Sequence, residues 1–258
     1  MFRPGARGPV DVLPCPKRVR VHFAGKVIAD STRVLLLREP GQVPAYYFPW
    51  EDVWHTTLQP SAHVTASPHL GTARYWSLAS GGRTAPDAVW AYDHPQPAAQ
   101  ALAGHVAFRW DAMEAWYEED QQVYLHPRDP YVRIDILECA RRVRVLLDGE
   151  TVADSRQVRM LIETGAPVRY YFPPEDIRTG LLVPTEMRSL CCYKGEAHYW
   201  SANIAGRIYD NVAWSYPEPL PEVSRIAGCI CFYPQRVQRL EVEAPAGRPG
   251  DAVKGNDR

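Results

Sequence analysis

Cys191 and Lys194 lie three positions apart in the run Cys191-Cys192-Tyr193-Lys194-Gly195. In extended chain, residues at that spacing face opposite sides, but a turn at Gly195 would bring thiol and ammonium together. An ammonium beside a thiol favours the thiolate and makes a nucleophile. Lys194 alone would hold a carboxylate or phosphate, or act as a base if desolvated. A buried cysteine and a surface lysine capping a turn fit the same letters. Lysine is scarce here: only Lys17, Lys26, Lys194 and Lys254 stand among many arginines. Arginine does not release its proton at physiological pH, whereas lysine can.

Glu163 ends an apolar run, so it needs a cationic partner if buried, and Arg144 or Lys194 is the candidate. Tyr171 joins Lys194, Cys191 and Glu163 as a candidate catalytic group. Arg133, Asp154, Tyr170, Tyr193 and Trp214 are the candidate substrate-binding residues. Arg133 would fork onto a carboxylate or phosphate. Structural readings compete: Asp154-Ser155 can hydrogen-bond a turn, Glu175-Asp176 can stabilise a helix start, and the aromatics can fill a core.

The elements that must position these groups are written twice. Arg18-Val19-Arg20-Val21 matches Arg142-Val143-Arg144-Val145, and Ala29-Asp30-Ser31 matches Ala153-Asp154-Ser155. Tyr46-Tyr47-Phe48-Pro49 with Glu51-Asp52 matches Tyr170-Tyr171-Phe172-Pro173 with Glu175-Asp176, and Tyr75-Trp76-Ser77 matches Tyr199-Trp200-Ser201. The offset is constant at 124 residues without a gap. A period that long implies two domains with separate cores, not a solenoid.

Each copy reads as short strands. Arg142 to Leu147 alternates, Asp148-Gly149 supplies a hairpin turn, and Thr151 to Asp154 returns. Strands are predicted over 158–163, 169–172, 189–193, 197–202, 212–216, 226–233 and 237–242, with a short helix beginning at Pro173. The fold class expected is mainly β: two tandem copies of a small β-sheet or barrel domain, each with one short helix. The expected layout is a loose N-terminus at 1–16, a first β domain at 17–110, a packed joining segment at 111–138, a second β domain at 139–243 and a loose tail at 244–258. Arg128, Asp129, Arg133 and Asp135 of the joining segment read either as an inter-domain ion network or as a wall over a pocket in the second copy.

The series Ala-Asp-Ser, Glu, Tyr-Tyr-Phe-Pro-x-Glu-Asp, Cys-x-Tyr-Lys-Gly-x-Ala-x-Tyr-Trp-Ser, Trp-x-Tyr resembles the family called domain of unknown function 427. The likeness runs once per copy over nearly all of residues 17–243. It implies a small, mostly β domain and no particular reaction. The sequence departs from the family pattern at Cys192, where proline is usual, and in the first copy, where Ser67-Pro68-His69-Leu70-Gly71 lacks both thiol and lysine. The family's occasional nucleotidyltransferase-like label finds no Gly-Ser turn followed by paired aspartates here.

The 258 residues carry a net charge of -1, with 46% hydrophobic and 23% charged residues, which excludes a disordered chain and argues against a nucleic-acid partner. With 24 prolines, 8 tryptophans and 14 tyrosines, short strands and turns are favoured. No apolar run suits a membrane span, and the opening stretch has no apolar core of a secretory signal, so a cytoplasmic protein with reduced thiols is expected. Cys191, Cys192, Cys229 and Cys231 are enough ligands for zinc. A vicinal pair chelates poorly, however, and the first copy has Ser67, Pro68, His105 and Ala107 there, so no metal and no cofactor are expected.

The expected function is a cofactor-independent enzyme acting on a small polar or anionic metabolite by hydrolysis, elimination or group transfer. Its site would lie in the second copy against the joining segment. The alternatives are a non-catalytic small-ligand binding module and a protein-interaction module.

Overall fold

The computed structural model describes residues 10–244. The chain divides into two compact units between Tyr131 and Val132. The strand pairs in both are antiparallel, and every described helical turn is a 3-10 turn.

In the second unit a seven-stranded sheet runs, edge to edge, through Ile134–Cys139, Val158–Glu163, Arg169–Phe172, Ile230–Phe232, Arg207–Ser215, Gly195–Ile204 and Leu182–Cys191. A small sheet orders Glu150–Ser155, Val143–Leu147 and Arg239–Val242. The first unit repeats this order with Asp11–Pro14, Leu35–Arg38, Ala45–Pro49, His105–Phe108, Arg83–Tyr92, Gly71–Ser80 and Leu58–Ser67. Its small sheet has Lys26–Ser31, Val19–Phe23 and Ala115–Glu118, with Gln121–Val123 added at the edge.

Alternation decides what each strand buries. Val143, Val145 and Leu147 point inward while Arg144 and Leu146 are half-buried. The following Asp148-Gly149 turn has φ of 50° and 81°, the left-handed pair that a tight hairpin of native twist requires. Each large sheet has two apolar faces. One packs on the small sheet: Val143, Val145, Val152, Phe172 and Phe232 in the second unit. The other is covered by a 3-10 turn, Pro221–Ile226, whose Val223 and Ile226 lie over Leu161, Tyr171 and Trp214. The first unit uses Pro97–Leu102 in the same way, over Tyr47 and Tyr92.

The mainly β, twice-written architecture is the one read from the sequence. Several details differ. The helix expected at Pro173 is a single 3-10 turn, Pro174–Asp176, held where Ser155 Oγ donates to Asp176 at 2.5 Å. Strand 189–193 starts earlier and ends earlier, as Leu182–Cys191, and of the segment 226–229 Ile226 closes the 3-10 turn and 227–228 form a turn before the strand Ile230–Phe232 begins. The N-terminus expected to be loose is ordered from Val10 onward: Asp11–Pro14 pairs with Leu35–Arg38, and Cys15 is buried. Residues 1–9 and 245–258 lie outside the described part. The joining segment is not a separate layer. Ala115–Glu118 completes the small sheet of the first unit, and Ile134–Cys139 forms the edge of the large sheet of the second. Its charges divide accordingly: Arg128 pairs with Glu118 and Asp129 with Arg38 in the first unit, Arg133 with Asp135 in the second.

Candidate functional site

Glu163 is the last residue of the strand Val158–Glu163, opposite Ile134 on the edge strand. Lys194 is the last residue of the turn between Leu182–Cys191 and Gly195–Ile204. The Lys194 backbone N–H donates to the Cys191 carbonyl at 3.2 Å, and the Lys194 carbonyl accepts from Leu220 N–H at 3.1 Å. Gly195 closes this turn at φ +98°, with the Glu218 carbonyl 3.2 Å from where a Cβ would stand, so no side chain fits there without strain. The turn therefore aims Lys194 inward, and Lys194 is only 6% exposed. Its Nζ donates to Glu163 Oε2 at 2.6 Å and lies 4.0 Å from Cys191 Sγ. A buried ammonium is tolerated because a carboxylate meets it. Three of the four candidate catalytic groups are thus gathered by one turn and one strand end, with Cys191 and Glu163 partly open to solvent.

Aromatic residues floor this cluster. Tyr171 is buried and its hydroxyl accepts from Trp214 Nε1 at 3.3 Å. Burial, followed by the neighbouring Cys231 and Tyr216, holds the Tyr171 hydroxyl far above the usual phenol range. Burial raises Tyr216 in the same way, with further contributions from Cys191, Tyr199 and Glu163, and Tyr216 belongs to the apolar cluster against which Cys191 packs. Tyr233 is pushed up to about 12, first by burial and then by its hydrogen bond with Tyr199. All three phenols stay protonated at neutral pH, so they can donate or accept hydrogen bonds but cannot serve as bases. The Arg169 guanidinium lies 5.4 Å from the Trp214 ring centre and 6.0 Å from that of Tyr233.

The remaining candidates are placed elsewhere. Tyr170 alternates to the opposite face of the sheet from Tyr171 and receives Arg141 Nη2 at 3.3 Å. Asp154 is held by a two-pronged bond from Arg142, at 2.8 and 2.5 Å, on the small sheet. That bond lowers the Asp154 carboxyl pKa. Arg133 pairs with Asp135 at 2.9 Å and its side chain is 80% exposed, so it does not reach toward Lys194. Arg144 pairs with Glu241, which leaves Lys194 as the partner of Glu163. Tyr193 sits in the turn next to Lys194 and Trp214 in the aromatic floor. Among the described residues, no three His, Cys, Asp or Glu side chains are grouped to hold a metal. None of the described helices is long and apolar enough to cross a membrane.

The first unit holds two features that the sequence reasoning passed over. Glu118, 2% exposed, accepts from Lys17 Nζ at 2.5 Å, Tyr46 Oη at 2.8 Å and Arg128 N–H at 2.9 Å. The signal was Lys17, one of the few lysines, set three positions before the matched Arg20. The second feature is a cavity of about 400 Å³ whose lining includes Glu39, Tyr75, Trp90, Tyr92 and Trp110. Offset by the repeat, Glu39, Tyr75, Trp90 and Tyr92 answer to Glu163, Tyr199, Trp214 and Tyr216. Sequence reasoning discounted this copy because it lacks Cys191 and Lys194.

The same frame is found by comparison with known proteins. A family model described as domain of unknown function 427 (DUF427) matches residues 11–119 and 135–243. The chain belongs to this family. The two DUF427 matches begin on the strands Asp11–Pro14 and Ile134–Cys139 and end just past Ala115–Glu118 and Arg239–Val242. One DUF427 match is therefore one pair of sheets, and the N-terminal strand and the strand of the joining segment belong inside it. No curated protein matches the chain.

Proposed function

We propose that this tandem DUF427 protein acts on a small polar metabolite without a cofactor, by proton transfer at Lys194 and Glu163 in the second unit. The observation that supports this is the 2.6 Å ion pair, buried at the lysine and partly open at the carboxylate, with the Cys191 thiol 4.0 Å away. A substrate oxygen entering beside the pair would receive a proton from the ammonium while the carboxylate takes one from the substrate or from the thiol. With its proton passed to Glu163, Cys191 would be a nucleophile held beside a cation that stabilises the thiolate. Tyr216 would donate a hydrogen bond to developing negative charge. Hydrolysis, elimination and group transfer all draw on this set. Because Glu163 neutralises Lys194, a polar substrate suits the pair better than a strongly anionic one.

The test is to incubate the purified protein with a bacterial metabolite extract and follow all metabolites by mass spectrometry. The comparison is the double variant Lys194→Met with Glu163→Gln, which removes both charges together and so leaves no unpaired ion. A metabolite consumed by the parent and spared by the variant is the expected result. If the parent changes nothing, the enzyme reading falls. The second reading, non-catalytic binding of a small ligand, then stands on the first-unit cavity, which lacks the thiol and the lysine.

A further inference from the structure

The two units carry one aromatic architecture with different charges. In the second unit, Trp214 Nε1 donates to Tyr171 Oη, and in the first Trp90 Nε1 donates to Tyr47 Oη at 2.9 Å. Tyr92 and Tyr75 lie beside that pair, with ring centres 6.5 Å from Tyr47 and 6.3 Å from Trp90 respectively. The second unit brings two cations of its own to this arrangement: the Lys194 ammonium against Glu163, and the Arg169 guanidinium over Trp214. In the first unit both positions are aliphatic. Leu70 stands for Lys194 and Ala45 for Arg169.

The consequences are visible around Glu39. Its side chain has no ion pair or hydrogen bond among the described residues, and it borders the 400 Å³ cavity together with Ala45. Leu70 is buried in the apolar layer behind Tyr47 and Tyr92, so it adds no polar group. The other charged lining groups are engaged: Arg109 Nε lies 3.3 Å from Asp111 Oδ1, and His126 Nδ1 bonds the Pro127 carbonyl at 2.8 Å. Tyr92 is pushed up to about 12, by burial first and then by the nearby Glu39 and Tyr75. The Tyr92 and Trp90 walls therefore present neutral rings with negative faces, beside a carboxylate that has no counter-ion among the described residues.

We propose that the first-unit cavity is a binding site for an organic cation, a ligand ammonium that supplies to Glu39 and Trp90, from the cavity side, the positive charge that Lys194 and Arg169 supply in the second unit. A carboxylate beside aromatic faces selects for positive charge by charge-assisted bonding and by cation–π attraction together. The volume accommodates an amine or quaternary ammonium with a small apolar body, within the range of ordinary small-molecule pockets. The site stands apart from the reaction proposed for the second unit, and either can fail without the other.

The probes are phenethylammonium and choline, titrated at neutral pH into the full chain and followed by calorimetry and tryptophan fluorescence. At least one is expected to bind saturably. Glu39→Gln, a change at a half-buried edge position, should weaken that binding by about tenfold or more while the melting temperature holds. The neutral isosteres 2-phenylethanol and 3,3-dimethylbutan-1-ol should bind more weakly than the cations by a similar factor. Leu70→Lys, which installs the internal cation, should abolish binding if the variant folds. The Lys194→Met, Glu163→Gln variant should bind the probes as the parent does. Absence of saturable binding by both cations, unchanged affinity in Glu39→Gln, or equal affinity for the neutral isosteres would each overturn the proposal.

Discussion

Lys194 Nζ and Glu163 Oε2 meet at 2.6 Å across 31 residues of sequence, and the positions that answer to them in the first unit, Leu70 and Glu39, form no such pair. Replacing Lys194 by methionine strands a carboxylate at an apolar edge. The expected loss is about 3 kcal/mol of stability, as when one member of a buried pair is removed. The double change Lys194→Met with Glu163→Leu should recover most of that loss. Urea unfolding of the parent, single and double variants measures both, and a single variant as stable as the parent would show that the pair is not buried as described.

Glu118 makes a corresponding prediction for the first unit. Its carboxylate meets Lys17, Tyr46 and Arg128 while 2% exposed. Glu118→Leu takes the carboxylate from the Lys17 ammonium, which keeps only the Arg128 carbonyl at 2.6 Å, and should cost about 3 kcal/mol. The equivalent position in the second unit is already Val242, so Val242→Leu should cost little. Calorimetry of the two variants, compared with the parent, reads the contrast.

Acid should weaken the small sheet of the second unit through Glu243. The Arg156 guanidinium and the Arg142 backbone N–H hold its carboxyl down to about 2, from an ordinary value of 4.5. A pKa depressed by folding contributes stability that is complete above the unfolded value and is lost as pH falls toward the folded one. Stability should therefore fall between about pH 4.5 and 2, and Glu243→Gln should flatten part of that slope. A variant with the parent's pH profile would remove Glu243 from the account.

Thiol reactivity should single out Cys191. The other five cysteines are buried, and burial raises the thiols of Cys15, Cys229 and Cys231 above the ordinary range. Iodoacetamide at neutral pH should label Cys191 first, read by peptide mass spectrometry. Faster labelling of Cys15 or Cys231 would contradict the burial described.

The alternating runs made most strands legible, and identical runs such as Ala-Asp-Ser and Tyr-Tyr-Phe-Pro exposed the duplication. The limits of each copy were missed because its first and last strands carry few identities. Asp11, Leu13 and Cys15 do match Asp135, Leu137 and Cys139, and extending the offset backward would have ordered the N-terminus. Ala115–Glu118 and Arg239–Val242 share no residue, so the last strand could be recognised only by its pairing. Within the candidate site, charge and apolar context narrowed the partner of Glu163 to Arg144 or Lys194, and only the pairing of Arg144 with Glu241 decided between them. Tyr170 could not be separated from Tyr171 without knowing which face of the sheet each residue takes. The cavity beside Glu39 escaped notice because its character lies in groups that are missing, and Leu70 and Ala45 read as ordinary core residues.

Every described strand finds its neighbours inside its own unit, with the boundary falling between Tyr131 and Val132. An inheritable change at one turn, such as leucine or lysine at the position before the closing glycine, alters one half's interior and leaves the other's backbone bonding intact. Each half's interior can therefore change on its own, as leucine in one and lysine in the other at this single position show.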